Sequence, residues 1–146
     1  MELNLENFNI RRSNPYIAGQ IGLAPEEERY IVKARGLMGV EIFEGDTISI
    51  KNIEGQQECE IVAFDKDGKN KLDMVGHTKN ADAKFIKYVL ANSPDNKFLI
   101  SKLKKRKIDF HNAVSFNLFN KETLSGETEE LLVSDDGFII FASPGK

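Results

Sequence analysis

Apolar and polar positions alternate with period two over several short stretches, the pattern of a strand that buries one face. Thr47-Ile48-Ser49-Ile50 is the cleanest, with Ile48 and Ile50 predicted to point inward. Glu58 and Glu60 lead into the apolar run Ile61-Val62-Ala63-Phe64. Residues 52 to 55 break the pattern between these two strands, which therefore read as a hairpin. Tyr30-Ile31-Val32 and Val40-Glu41-Ile42-Phe43 read as two earlier strands joined by a turn around Gly36 and Gly39. Residues 114 to 119, 130 to 133 and 138 to 141 complete about seven strands, and Asp135-Asp136-Gly137 is expected to make the last hairpin turn.

The period shifts in the middle of the chain. Ala81, Phe85, Ile86, Val89 and Leu90 fall on one helical stripe, with Asn80 or Asp82 as the expected cap. Asn92-Ser93-Pro94 stops that helix. A second starts near Pro94 or Asp95, buries Phe98, Leu99 and Leu103, and ends in the basic run 102 to 107, where cations oppose the exposed carbonyl dipoles. Residues 1 to 28 show no strong period and are expected to form an N-terminal arm ahead of a single domain, 29 to 146. The expected fold is α+β, a twisted, mostly antiparallel sheet or partly closed β-barrel carrying two helices.

A chain of 146 residues with 40% hydrophobic content can bury one substantial core. Twenty Lys and Arg against 23 Asp and Glu give a net charge of −3, which supplies no field for gathering phosphate backbones, so no nucleic-acid partner is expected. The single cysteine, Cys59, can close no intramolecular disulfide and build no thiolate zinc cluster, which points to a reduced, cytoplasmic location. The acidic opening Met1-Glu2-Leu3-Asn4-Leu5-Glu6 is unlike a secretory signal, and no apolar run reaches membrane-spanning length. No membrane partner is expected. Glycines are scattered rather than arranged as a phosphate cradle, so a nucleotide cofactor is not expected either.

Candidate chemistry is sparse. His77 and His111 lack a second ligand at helical spacing, although Asp109 could orient His111 as a general base. No nucleophile motif occurs. Cys59 lies between Glu58 and Glu60, whose charges should raise its pKa, and reads as a small half-buried residue. Asp65-Lys66-Asp67-Gly68 lacks the spacing of a calcium loop and reads as a tight turn. The run of Lys102, Lys104, Lys105, Arg106 and Lys107 reads as a solvated helix end, with an acidic partner as the alternative. Glu58 and Glu60 share a face that is expected to meet solvent; lining a barrel mouth instead, they could bind an amine.

The stretch Gly45-Asp46-Thr47-Ile48-Ser49-Ile50-Lys51-Asn52-Ile53-Glu54-Gly55-Gln56-Gln57-Glu58-Cys59-Glu60-Ile61-Val62-Ala63-Phe64 resembles, without a gap, the opening hairpin of the urea carboxylase-associated family. Phe116-Asn117-Leu118-Phe119 is similar to that family's later Phe-Asn-Leu-Phe segment. The resemblance spans roughly residues 32 to 144. It departs at the metal positions: the family places zinc-binding cysteines in Asn-Cys-x-Asp-Asn and Ala-Cys-Pro segments, whereas this chain has Asn92-Ser93-Pro94-Asp95-Asn96 and Ala142-Ser143-Pro144. The chain is also shorter between His77 and Ser93, where the family has another cysteine. Hydroxyls bind zinc poorly, so the resemblance implies a degenerate relative with Ser93 and Ser143 at lost metal positions and no cofactor.

Such domains also stand at the front of larger proteins that resemble amine demethylases, ahead of a zinc-bearing copy and a folate-binding aminomethyltransferase module. The resemblance therefore implies a non-catalytic accessory or assembly domain, the first part of a longer protein, whose partner is a downstream catalytic domain or a second copy. The alternative is a stand-alone amine-binding protein or enzyme that uses Gln57, Glu60 and Asn117, with His111 as base.

Overall fold

Gly137–Ala142 is buried at every position, and the neighbouring Cys59–Asp65 at all but its last. Strands apolar on both faces belong inside a layered structure. The computed structural model describes residues 2–6, 27–32, 35–77, 81–92, 97–108, 110 and 112–144. In chain order the elements are β1 (Glu2–Glu6), β2 (Glu27–Ile31), β3 (Leu37–Ile42), β4 (Thr47–Lys51), β5 (Cys59–Asp65), β6 (Ala81–Asp82), α1 (Lys84–Asn92), α2 (Lys97–Lys105), β7 (Val114–Leu118), β8 (Thr128–Leu132) and β9 (Gly137–Ala142). They form a four-stranded sheet, β2-β1-β4-β8, and a five-stranded sheet, β3-β9-β5-β7-β6. Every pairing is antiparallel. The fold is α+β as expected, and its sheets close into no barrel.

Two cores lie on opposite faces of the five-stranded sheet. Ile48, Ile50 and Leu131 of the four-stranded sheet pack with Cys59, Ile61, Ala63, Ile139 and Phe141, filling the space between the sheets. The alternate residues Val62, Phe64, Phe138, Ile140 and Ala142 pack with Ile86 of α1 and with Leu99 and Leu103 of α2. The layers are therefore sheet, sheet and helices, with β5 and β9 in the middle.

This layering corrects the expected hairpins. β4 pairs with β1 and β8, whereas β5 pairs with β7 and β9, so the chain crosses from one sheet to the other between them. The same holds for β2 and β3, and for β8 and β9. Period two says which residues turn inward, but it carries no information about which strand lies alongside. A second difference concerns residues 1 to 28, read as an arm. Residues 2–6 form β1, inside the four-stranded sheet, with Leu3 opposite Ile50 and Leu5 opposite Ile48.

The helices keep most of their predicted inner faces. Ile86 is fully buried, and Leu99 and Leu103 nearly so. Ala81 belongs to β6, opposite Ser115, rather than to the helix. Residues 93–96 and the side chain of Phe98 lie outside what is described. α2 sits hard on the sheet at Gly39, where a Cβ would come within 2.6 Å of Phe138 and 2.7 Å of Leu99.

α2 ends in a left-handed turn. The Lys107 N–H donates to the Lys104 carbonyl at 3.1 Å and the Ile108 N–H to the Leu103 carbonyl at 3.1 Å, the paired bonds of a Schellman motif. The residue that must adopt positive φ is Lys107, at φ 57°, where glycine is preferred. Lys107→Gly is expected to stabilise the chain by about 1 kcal/mol, raising Tm by roughly 2–4 °C. Thermal unfolding of the two proteins checks this, and an unchanged or lower Tm would refute it.

Candidate functional site

The first helical hydrogen bond of α1 runs from the Lys87 N–H to the Ala83 carbonyl at 3.0 Å, which makes Ala83 the N-cap. A methyl group cannot accept the N–H groups that a helix start leaves open. The acceptor comes from another element. Glu60 on β5 receives the Ile86 N–H on Oε1 at 3.0 Å and the Phe85 N–H on Oε2 at 3.3 Å. A negative carboxylate there also opposes the positive end of the helix dipole.

Glu60 is only 6% exposed, which overturns the expectation that it faces solvent; Glu58 is exposed. Glu60 shares its face of β5 with Val62 and Phe64, and the helices cover that face. Burial pushes its pKa above the ordinary glutamate value, outweighing the opposite pull of the Ile86 and Phe85 N–H groups. Asp82, one of the two expected caps, instead accepts a hydrogen bond from Lys87 Nζ at 2.6 Å on the surface, and that bond lowers its pKa. Asn80 lies outside the described residues.

The other expected binding residues fall in two places. Asn117 is directly opposite Glu60 across the β5–β7 pair, but exposed. Gln57 precedes β5, is 3% exposed, donates from Nε2 to Glu54 Oε2 at 3.0 Å and accepts a long bond from Ser143 Oγ at 3.5 Å. Its carbonyl accepts the Asn52 side-chain amide at 2.8 Å, while Asn52 Oδ1 accepts the Gly55 N–H at 2.9 Å. Gly55, at φ +79°, lies so close to residues 123–125 that a Cβ would come within 2.7 Å of the Ser125 nitrogen. Gln57 thus belongs to a buried loop network. Among the described residues, two surface depressions of about 380 and 470 Å³ are lined by other side chains than Gln57, Glu60 and Asn117.

The surroundings of Ser143 do not fit zinc. Its hydroxyl is buried against the Gln57 amide, and no cluster of three or more His, Cys, Asp or Glu able to hold a metal occurs among the described residues. Cys59 is fully buried in the core between the sheets, rather than half-buried as expected. Burial is the main cause pushing its thiol up to about 12, and the Glu60 charge adds to it. His77 lies flat on Phe116, with ring centroids 4.0 Å apart and planes 5° apart, and burial lowers its pKa. The Asp65 carboxylate is turned onto the Asp67 and Lys69 N–H groups, closing the predicted turn. Ser93, Asp109 and His111 lie outside the described residues.

Sequence reasoning missed the surface where the helices meet. Leu90, Ala91, Ile100, Leu103, Ile108 and Phe110 line a mostly apolar groove there, edged by Lys87 and Lys104. Its signal was the mixture of apolar and lysine positions along α2, read only as an inner face and a basic end.

The chain is similar to the trimethylamine-oxide aldolase of Ruegeria pomeroyi, with 32% identity over 124 residues. The match takes in 84% of this chain but 16% of that protein, so the chain spans a small part of its relative's length. No family model and no solved structure matches it.

The Glu60 cap has two measurable consequences. Glu60→Ala leaves two buried N–H groups without an acceptor and should cost about 1–3 kcal/mol of unfolding free energy in urea titrations. Because the folded-state pKa of Glu60 is raised, its stabilising contribution is full below the unfolded glutamate value and is lost as pH rises through the folded one. Glu60→Gln has no proton to lose and acquires no buried charge, so its stability relative to the parent should climb between about pH 4 and pH 8. A difference that stays constant over that range would contradict the burial of an ionised Glu60.

Proposed function

We propose that the chain is a non-catalytic accessory or assembly domain of an amine-metabolising protein, related to the front portion of proteins such as trimethylamine-oxide aldolase and lacking a zinc site. The observation that carries this reading is the internal use of the candidate binding groups. Both carboxylate oxygens of Glu60 accept N–H groups of α1, and Gln57 is taken up by Glu54 and Ser143. A substrate ammonium group would have to displace a helix cap to reach Glu60. The similarity to an amine enzyme over 84% of the chain supports descent from such a protein. On this reading the chain is cytoplasmic, with neither a membrane nor a nucleic-acid partner; among the described residues no helix is long and apolar enough to cross a membrane.

The alternative amine-binding site rests on the pairing of exposed Asn117 with Glu60. Isothermal titration with trimethylamine and trimethylamine N-oxide separates the two readings, with N-oxide consumption followed by NMR and zinc measured by elemental analysis. The accessory reading expects no saturable heat, no turnover and less than a tenth of an equivalent of zinc, on the order expected without a thiolate site. Saturable amine binding abolished by Asn117→Ala, catalytic turnover, or a full equivalent of tightly held zinc would overturn it.

A further inference from the structure

The groove between α1 and α2 is lined by one turn of each helix, residues 87–91 of α1 and 100–104 of α2, and by Ile108 and Phe110 beyond α2. Its apolar floor and walls are Leu90, Ala91, Ile100, Leu103, Ile108 and Phe110, and its volume is about 470 Å³. Those side chains are not an accident of a frayed edge. Leu103 is 5% exposed and belongs to the core beneath, and the Phe110 ring packs against Phe64 at 5.6 Å between centroids.

Among the described residues that line the groove, the charged ones are both lysines. Lys87 and Lys104 edge it, and the last turn of α2 carries Lys102, Lys104 and Lys105. The carboxylates nearby are already committed: Asp82 to Lys87, and Glu41 to Lys102 and Arg106. Among the described residues no carboxylate pairs with Lys104, Lys105 or Lys107. A partner that buries apolar groups here gains most when it carries negative charge at its margins.

We propose that the α1/α2 groove is the docking site for a short amphipathic helix of a partner polypeptide, apolar on one face and flanked by glutamates or aspartates. A helix laid in a groove anchors through positions i, i+3 or i+4 and i+7, and this groove offers apolar side chains from one turn of each helix, Leu90 and Ala91 of α1 and Ile100 and Leu103 of α2. The acids meet Lys104 at the rim. This rests on the accessory reading in that it names the surface through which such a domain would join its partner.

Two fluorescein-labelled helical peptides of about 14 residues test it, both with leucines at i, i+3 and i+7, one flanked by glutamates and the other by lysines. Fluorescence anisotropy should show the acidic peptide binding at least about tenfold more tightly, with the difference shrinking as salt is raised. Lys104→Glu, a surface change, should reverse the preference. Amide shifts on titration should concentrate at Leu90, Ala91, Ile100 and Leu103. Equal binding of both peptides, no effect of Lys104→Glu, shifts centred elsewhere, or no binding at roughly 1 mM would overturn it. Tighter binding to anionic phosphatidylglycerol vesicles than to the peptide, or self-association that buries the groove in sedimentation, would assign the surface differently and also overturn it. Peptide docking together with N-oxide turnover would sink the accessory reading alone, whereas an inert groove on an inactive chain would sink the docking alone.

Discussion

The structure depends on a sheet that has no wet face. β5 and β9 give alternate residues to a core shared with the other sheet and to a core shared with the helices, so each side chain they carry must be apolar or fully partnered. Five aliphatic or aromatic residues of β9 meet that demand by composition. β5 carries two acids: Asp65 at its end is only partly buried, whereas Glu60 is buried, and the helix start supplies the partners that let it stay.

That arrangement serves two needs at once. α1 begins at an alanine that cannot cap it, and β5 holds a carboxylate that burial would otherwise penalise. Each answers the other's deficit, which ties the helix layer to the central strand by charge-assisted hydrogen bonds in addition to apolar contact. The consequence for function is direct, because an acid engaged in this way is a poor recognition group for a substrate amine. The loop before β5 shows the same economy, with Asn52, Gly55 and Gln57 bonded to one another and to the chain around residue 123.

Two layers remain outward-facing, the far side of the four-stranded sheet, where Leu132 is exposed, and the helix layer. The inner stripe of the helices packs on the sheet, while the seam between α1 and α2 keeps partly exposed apolar side chains beside Lys87 and Lys104. Glu60 and Gln57 are engaged within the chain, while an apolar opening between the helices stays at the surface.

Much of this was legible in the residues. Ile48 and Ile50 announced their inward direction, both helices were visible near their true positions, and the central runs of β5 and β9 declared deep burial. The departures share one cause. Alternation is local, whereas sheet partners and layers are not: nothing between residues 47 and 64 says that the chain changes sheets, and nothing in Glu60 says that a helix 24 residues later will cover it and take up its charge. The sequence by itself determined which apolar positions of β4, β5, β9 and the two helices seek burial, but β1 lay hidden in a stretch without a period. Only the tertiary structure decided which strands pair and what becomes of the polar residues, because hydrogen bonding and desolvation depend on which elements come to lie over them.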